Sequence, residues 1–280
     1  MALSRLLGSA SLFVATASVA TLAQAALVIN YPDFSDTTGL TINGNAAQVG
    51  NVLRVTRDTF SQAGSAFSTN TVALTSGAAF STYFRFRFTN PGGACDFPPD
   101  SCGADGIVFA VQTVSNSVGG VGGGIGYAGI ANSVGVEFDN WFNSGFDINS
   151  NHVGIDLSGS VNSVASINIA EADLNGGDIW NAWVDYNSVT DLLEVRLTRS
   201  AVRPAAAILS YTVDLATVLG STDAYVGFTS GTGAAFANHD ILSWQLRDNY
   251  EPITPVPEPA GLALLGLGFA GLAAARRRRM

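Results

Sequence analysis

The stretch VGVEFDNWFNSGFDINSNHVGID, residues 134–156, places several metal-capable side chains among valines and aromatic residues. Alternate residues of a β-strand share a face, so Glu137 and Asp139 project from the same side of the strand that opens this stretch. A loop follows and the chain returns as a strand beginning at His152, so that Asp147 and His152 can fold back over the two carboxylates. Uncompensated carboxylates are costly in a low dielectric, so the stretch predicts a cation site. A solvated acidic edge strand is the alternative.

The composition favours hard cations as ligands and disfavours polyanionic partners. The formal net charge is −9, and all 13 basic residues are arginines, five of which lie in the two terminal segments. Such an acidic body repels nucleic acid and anionic membrane surfaces. Three carboxylates with one imidazole suit a manganese-like ion, whereas carboxylates with an amide oxygen and a backbone carbonyl suit calcium.

The central part of the chain predicts an all-β fold. Short segments with period-two alternation are separated by Gly, Asn, Asp and Ser. They are YFRFRFT, GIVFAVQT, VGVEF, HVGIDL, IWNAWVDY, LLEVRLT, SYTVDL, AYVGFT and ILSWQL. Many short strands with glycine-rich turns indicate a sandwich or barrel of antiparallel sheets. Nothing indicates a boundary inside residues 26–247, which are therefore expected to form one domain.

The N-terminal segment, residues 1–25, is interpreted as a secretory signal peptide. Arg5 precedes an apolar run, and Ala23 to Ala25 read AQA, which predicts cleavage before Ala26. A membrane span is the weaker alternative, because serines and threonines interrupt the run. In an exported chain Cys95 and Cys102 are expected to form a disulfide, since a C-x6-C pair without a neighbouring histidine is a poor zinc site.

The C-terminal end has a distinct order of features. Residues 248–256 carry Pro252 and Pro255 and are interpreted as an extended linker. Residues 257–280 contain Pro-Glu-Pro, sixteen apolar residues and four arginines, which resembles the PEP-CTERM sorting signal of exported bacterial proteins. The resemblance implies processing by an exosortase-type machinery and a precursor anchored in the inner membrane, with the body outside it. An ordinary tail anchor is the alternative.

The opening stretch resembles the metal-binding segment of legume-type (L-type) lectins, the concanavalin A-like family. In that family a strand carrying E-F-D is followed by an aromatic residue, Asn, Asp and a strand opening H-x-G-I-D. The segments INYPDFSDTTGLTINGNAAQVGNVLRVT and TGAAFANHDILSW resemble further parts of the family in the same order. The resemblance implies a concanavalin A-like antiparallel β-sandwich, or jelly roll.

The resemblance also implies a metal pair, Ca2+ and Mn2+ or another transition metal. It assigns Glu137 and His152 to the transition metal, Asp139 and Asp147 as bridges, and Asn143 with the backbone carbonyl of Trp141 to calcium. The family's water-linking serine would be Asn162 or Ser163. Trp141 could equally stack on a sugar or fill the core, and His239 is expected to be structural.

The sugar-binding residues implied by the resemblance are Asp105, Gly123, Asn143, Ala234 and Ala235. Asp105 would accept hydrogen bonds from sugar hydroxyls, and its peptide bond to Ala104 is expected to be cis. Gly123 and the two alanines would offer backbone N–H groups, and the amide of Asn143 would bind sugar while its oxygen binds calcium.

The resulting hypothesis is an exported lectin that binds extracellular glycan or exopolysaccharide and is not an enzyme. A glycoside hydrolase of the same fold is an alternative, but Phe142 occupies the position of the last acid in the E-x-D-x-x-E motif of laminarinase-type enzymes. A structural surface-matrix protein that does not bind sugar is a second alternative. The sugar type stays open, and a homodimer is considered because lectins often pair through sheet edges.

Overall fold

The computed structural model describes residues 26–255, apart from residues 76, 97–100, 118, 119 and 121. The predicted signal peptide and the sorting segment from residue 257 onward lie outside these described residues. The strands are β1 (Ile29–Tyr31), β2 (Leu40–Gly44), β3 (Ala47–Val49), β4 (Val52–Thr56), β5 (Ala63–Ser68), β6 (Val72–Ala73), β7 (Phe80–Gly93), β8 (Cys95–Asp96), β9 (Ser101–Cys102), β10 (Gly106–Gln112), β11 (Ser133–Asp139), β12 (His152–Leu157), β13 (Ala165–Asn168), β14 (Trp180–Asn187), β15 (Leu192–Thr198), β16 (Leu209–Thr212), β17 (Asp223–Gly231) and β18 (Ala235–Arg247). Short 3-10 turns cover Gly122–Gly124 and Leu174–Gly176, and one short α-helix, α1, covers Leu215–Leu219.

Two large antiparallel sheets face each other. The back sheet has the order β16-β15-β14-β7-β18-β4-β3, with β1 beside β18. The front sheet has the order β13-β12-β11-β10-β17-β5-β2, with β6 beside β17. The all-β sandwich expected from the alternating segments is therefore confirmed.

The core lies between the inner faces of the two sheets and is dominated by aromatic rings. Phe84 of the back sheet contacts Phe109, Phe138 and Phe228 of the front sheet, with ring centroids 5.0 to 5.8 Å apart. Because the side-chain period of a strand is two, Phe138 points into this core and its neighbours Glu137 and Asp139 point to the outer face of the front sheet.

The segment expected to be an extended linker is docked on the body over its described part, residues 248–255. Ile253 is 3% exposed and packs against Tyr83 and Trp183 on the outer face of the back sheet. The indole N–H of Trp183 donates to the carbonyl of Ile253 at 3.0 Å. The aromatic surface formed by Tyr83 and Trp183 thus gives the segment a place to bury the side chain of Ile253.

Among the described residues, no helix is both long enough and apolar enough to cross a membrane. The apolar run at residues 260–275 lies outside them.

Candidate metal and sugar site

The carboxylates of the opening stretch are buried on the outer face of the front sheet. Glu137 and Asp139 are each 1% exposed. In the β11–β12 pairing, Asp139 lies opposite His152 and Glu137 lies opposite Gly154. The strand period thus brings together the residues that the sequence predicted to share a face.

Gly154 is required by the close approach of the Glu137 side chain. A Cβ atom built on Gly154 would lie 2.3 Å from Oε1 of Glu137 and 2.2 Å from Oγ of Ser163. Any larger residue in the centre of the H-x-G-I-D strand would therefore displace a carboxylate of the site.

Three of the proposed ligands form a group that can hold a metal. One ligand atom each of Asp139, Asp147 and His152 lies within 4.8 Å of the others. Nδ1 of His152 is 2.8 Å from the backbone carbonyl of Asn149, so this nitrogen carries the proton that donates there. Nε2 then faces the site, 3.3 Å from Oε1 of Glu137. A hydrogen bond from the other ring nitrogen is the usual way in which a protein orients a metal-binding histidine.

The carboxyl pKa values of the group are raised because the carboxylates are desolvated and lie close together with little positive charge nearby. Burial, and then the charges of Glu137 and Asp147, raise the pKa of Asp139 well above its usual value. Burial also raises the pKa of Asp147. Burial lowers the pKa of His152, but its hydrogen bond and charge interaction with Glu137 outweigh that effect and raise the pKa overall. Crowded acidic groups of this kind, with an oriented imidazole, fit a bound cation.

The loop between β11 and β12 is closed on the carboxylates by its own backbone. The N–H of Trp141 donates to Oδ1 of Asp139 at 2.7 Å. The N–H of Asn143 donates to Oδ2 of Asp147, and the N–H groups of Phe146 and Asp147 donate back to the carbonyl of Asn143. Trp141 is half-buried rather than part of the core.

Ser163 and Asp156 are two further members of the group. The hydroxyl of Ser163 is 2.6 Å from Oε1 of Glu137 and 2.8 Å from Oδ1 of Asp156, whereas Asn162 is exposed and makes no such contact. Asp156 is fully buried, and burial with the charge of Glu137 raises its pKa well above the usual value. Sequence reasoning missed Asp156, although its position two residues after Gly154 on the same strand face was a usable signal.

Asp105 lies beside this loop with its carboxylate unused. It is 4% exposed, and its Oδ2 is buried without a hydrogen-bond partner among the described residues. Burial, and then the charge of Asp147, raise the pKa of Asp105 to about 7. Its peptide bond to Ala104 is cis, as expected. The N–H of Asp105 donates to the carbonyl of Gly231, which fixes it to the start of the loop that carries the two alanines.

Two glycines lie beside Asn143 and Asp105. A Cβ atom on Gly123 would lie 2.6 Å from Oδ1 and 2.9 Å from Nδ2 of Asn143, so the absent side chain leaves room for that amide. A Cβ atom on Gly233 would lie 3.7 Å from Oδ2 of Asp105. Gly233 directly precedes Ala234, which is exposed, and Ala235, which is buried as the first residue of β18.

Two other residues from the sequence analysis are accounted for by the structure. Cys95 and Cys102 form a disulfide that closes the β8–β9 hairpin. His239 is fully buried, and its Nδ1 lies 2.7 Å from the hydroxyl of Thr56 and 3.2 Å from that of Ser230. Burial lowers the pKa of His239 to about 3, so a neutral structural histidine fits this position.

The sequence model of the legume lectin domain matches residues 26–260. The chain belongs to the legume lectin domain family. A second model, the PEP-CTERM protein-sorting motif, matches residues 255–279. That motif indicates an exported protein and implies exosortase processing.

Curated relatives include plant lectins and receptor kinases with a lectin domain. The chain is 34% identical over 178 residues to the L-type lectin-domain containing receptor kinase VIII.1 of Arabidopsis thaliana, covering 61% of this chain and 24% of the kinase. It is 33% identical over 184 residues to the bark lectin of Styphnolobium japonicum, covering 62% of this chain and 63% of that lectin. The matched region thus spans only part of these relatives.

Solved legume lectins share the fold of this chain. A lectin from Bauhinia forficata in complex with GalNAc has a TM-score of 0.65 and 25% identity, covering 79% of this chain and 97% of the lectin. The basic winged bean lectin with Tn-antigen has a TM-score of 0.64 and 28% identity, covering 78% of this chain and 96% of the lectin. These matches confirm the concanavalin A-like sandwich and place the chain in a carbohydrate-binding family.

Proposed function

We propose that this legume lectin domain binds extracellular glycan or exopolysaccharide in a pocket whose shape depends on a Ca2+/Mn2+-type metal pair. The observation that carries the proposal is the convergence of four chain segments on one place. Asp105 offers a buried carboxylate oxygen without a partner among the described residues, Gly123 leaves room for the Asn143 amide, and Gly233 lies in contact distance of Asp105. A few polar groups that converge from separate chain segments are typical of a specific ligand pocket.

The roles proposed for the metal residues follow the family resemblance. Glu137 and His152, whose Oε1 and Nε2 lie 3.3 Å apart, would hold the transition ion, and Asp139 and Asp147 would bridge to calcium. Asn143 and the Trp141 carbonyl, both in the loop, would complete the calcium site. The bound cations would supply the positive charge that the buried carboxylates lack.

In this pocket the chain's own groups would do the recognition. Asp105 accepts hydrogen bonds from sugar hydroxyls, and the Asn143 amide donates while its oxygen faces calcium. Backbone N–H groups at Gly123, Ala234 and Ala235 complete the set. Asn143 lies in the loop that is hydrogen-bonded to the proposed metal ligands, so we expect sugar binding to follow metal content.

Binding without hydrolysis is part of the proposal. A retaining hydrolase needs two free carboxyl groups about 5–5.5 Å apart across the scissile bond. Here Glu137 and Asp139 are the proposed metal ligands, and Phe142 occupies the position of the third acid. The relatives named above are lectins or carry a lectin domain, which supports the same conclusion at the level of the family.

The test is a glycan array probed with the full chain, loaded with Ca2+ and Mn2+ or stripped by a chelator. Galactose-type ligands come first, because similar structures hold GalNAc and methyl-alpha-D-galactose. We expect binding only in the loaded state, and loss of binding in Asp105→Ala. The matched control is Asp214→Ala, an exposed carboxylate that caps α1.

Asp214 is a suitable control because α1 lies at the Ser133 end of β11, far from Asp139. The hydroxyl of Thr113 donates to the carbonyl of Leu219 in α1, and the N–H of Thr113 donates to the carbonyl of Asn132. A strand of this length puts roughly 20 Å between the two ends. Glycan binding that survives chelation, or that survives in Asp105→Ala, would overturn the proposed pocket.

A further inference from the structure

The β8–β9 hairpin, residues Cys95–Asp96 and Ser101–Cys102, touches three walls of the proposed pocket. Next to β8, the N–H of Ala94 donates to the carbonyl of Ala234 at 2.9 Å. After β9, Asp105 follows Cys102 by three residues. The third contact is made by Asp96 of the hairpin itself.

Asp96 holds the loop that contains the proposed calcium ligands. Its Oδ2 accepts a hydrogen bond of 2.8 Å from the backbone N–H of Phe142. Phe142 lies between Trp141, whose carbonyl is a proposed ligand, and Asn143, which is proposed to bind both calcium and sugar. A shift of the Phe142 peptide group would therefore move both neighbours.

The hydrogen bond is a long-range contact between a loop and a two-residue strand. Asp96 and Phe142 are 46 residues apart, and Phe142 lies in the loop after β11. Asp96 is in a two-residue strand whose only described ladder partner is the equally short β9. The Cys95–Cys102 disulfide, directly beside Asp96, is the covalent element that closes this hairpin.

We propose that Asp96 is a positioning residue for the metal-and-sugar loop, and that the Cys95–Cys102 disulfide holds it in place. The hairpin thus acts as a clamp that sets the Trp141–Asn143 segment relative to Asp105 and Ala234. This inference rests on the proposed function and adds a residue that touches neither metal nor sugar. Removal of a group that hydrogen-bonds to a metal ligand without touching the metal typically weakens metal affinity by about 10- to 100-fold.

The full chain is first loaded with Mn2+. Titration calorimetry then measures the Kd for Ca2+ in the absence of glycan. We expect Asp96→Ala to raise the Kd about 10- to 100-fold. Asp96→Asn keeps a side-chain oxygen as acceptor and should retain most of the affinity. The control Asp214→Ala removes a similar bond, which the N–H of Thr217 donates to the Asp214 carboxylate at 3.1 Å, and should leave the Kd unchanged.

A double-mutant cycle tests the role of the disulfide. The double variant Cys95→Ala/Cys102→Ala should also raise the Kd, and adding Asp96→Ala to it should cause little further loss, because both changes break one connection. Full additivity of the two losses would overturn the role given to the disulfide. If the cysteine variant does not fold, Asp96→Ala decides the outcome with the disulfide intact.

The outcomes separate this proposal from the proposed function. A wild-type chain that binds Ca2+ and glycan, with an unchanged Kd in Asp96→Ala, overturns the clamp alone. A wild-type chain that binds no Ca2+ overturns the metal pair of the proposed function and the clamp with it. A loss in Asp96→Ala equal to that in Asp214→Ala would show a general loss of stability and also overturns the clamp.

Discussion

The two outer faces of the sandwich treat buried carboxylates differently. On the back sheet, Asp240 is fully buried and accepts two hydrogen bonds from the guanidinium of Arg54, at 2.7 and 3.0 Å. Asp185 on the same face has Arg196 and Arg203 as ion-pair partners, although burial still raises its pKa. The back sheet therefore supplies its carboxylates with counter-charges from its own chain.

The front sheet gathers three buried carboxylates with much less positive charge. Glu137, Asp139 and Asp156 are all at most 1% exposed. Among the described residues, His152 is the one side chain within ion-pair distance of Glu137 that can carry positive charge, and only when it is protonated, with its Nε2 at 3.3 Å. A buried charge without a partner is strongly unfavourable, so the difference between the faces supports the proposal that a bound cation completes the front sheet.

The largest expected effect comes from removing the proposed bridge on the front sheet. Asp139→Ala leaves two cations without sufficient charge between them, so we expect the folded chain to lose both its calcium and its transition ion. Metal analysis after gel filtration measures this as a fall from about one ion of each kind per chain to none. Unchanged metal content in Asp139→Ala would reject the bridging role.

The matching change on the back sheet should act on stability instead of metal content. Asp240→Ala removes the acceptor of two charged hydrogen bonds and leaves Arg54 partly buried, so we expect a loss of about 2–3 kcal/mol in the free energy of unfolding. Denaturant titration with and without chelator measures it. The loss should be the same in both conditions, and dependence on metal would remove the distinction between the two faces.

The contrast between the faces was only partly readable from the sequence. Period-two alternation located the strands and put Glu137, Asp139 and His152 on one face, since these contacts lie within neighbouring strands. Asp156 continues the same period and could have been included.

Long-range contacts were not readable in this way. The bond from Phe142 to Asp96 joins segments 46 residues apart through a backbone N–H that has no sequence signature. The docking of Ile253 depends on an aromatic surface formed by Tyr83 and Trp183 of different strands. Neither local propensity nor alternation contains that information, because it arises only when the sheet is assembled.

A smaller effect is expected in the pH dependence of the cation-free protein. A carboxyl whose folded pKa is raised favours folding below its unfolded pKa of about 4, and this advantage is lost as the pH rises through the folded value. That value is about 7 for Asp105, and the pKa values of Asp139 and Asp147 are raised as well. We therefore expect Tm to fall by a few degrees as the pH is raised across this window.

The metal-loaded protein is the control for this pH series. Protons compete with cations for the same oxygens, so calcium should bind more tightly as the pH rises through the window, and the fall in Tm should disappear. Differential scanning calorimetry with and without metals compares the two curves. A Tm that does not change with pH in the cation-free protein would mean that folding does not raise the pKa values of these carboxyl groups.

The smallest expected effect concerns Ser163, which links two carboxylates of the front sheet. Its one hydroxyl hydrogen cannot be donated to both Glu137 and Asp156, so one of the two contacts requires a proton on a carboxyl, in agreement with the raised pKa of Asp156. Ser163→Ala leaves both acceptors without this partner, and we expect it to weaken affinity for the transition ion by about tenfold while the fold is kept. The neighbouring Asn162→Ala is the matched control, because Asn162 is exposed and contacts neither carboxylate. Competition with a chromogenic chelator measures both variants, and equal affinities in the two would mean that the hydroxyl of Ser163 does not orient Glu137 toward a metal.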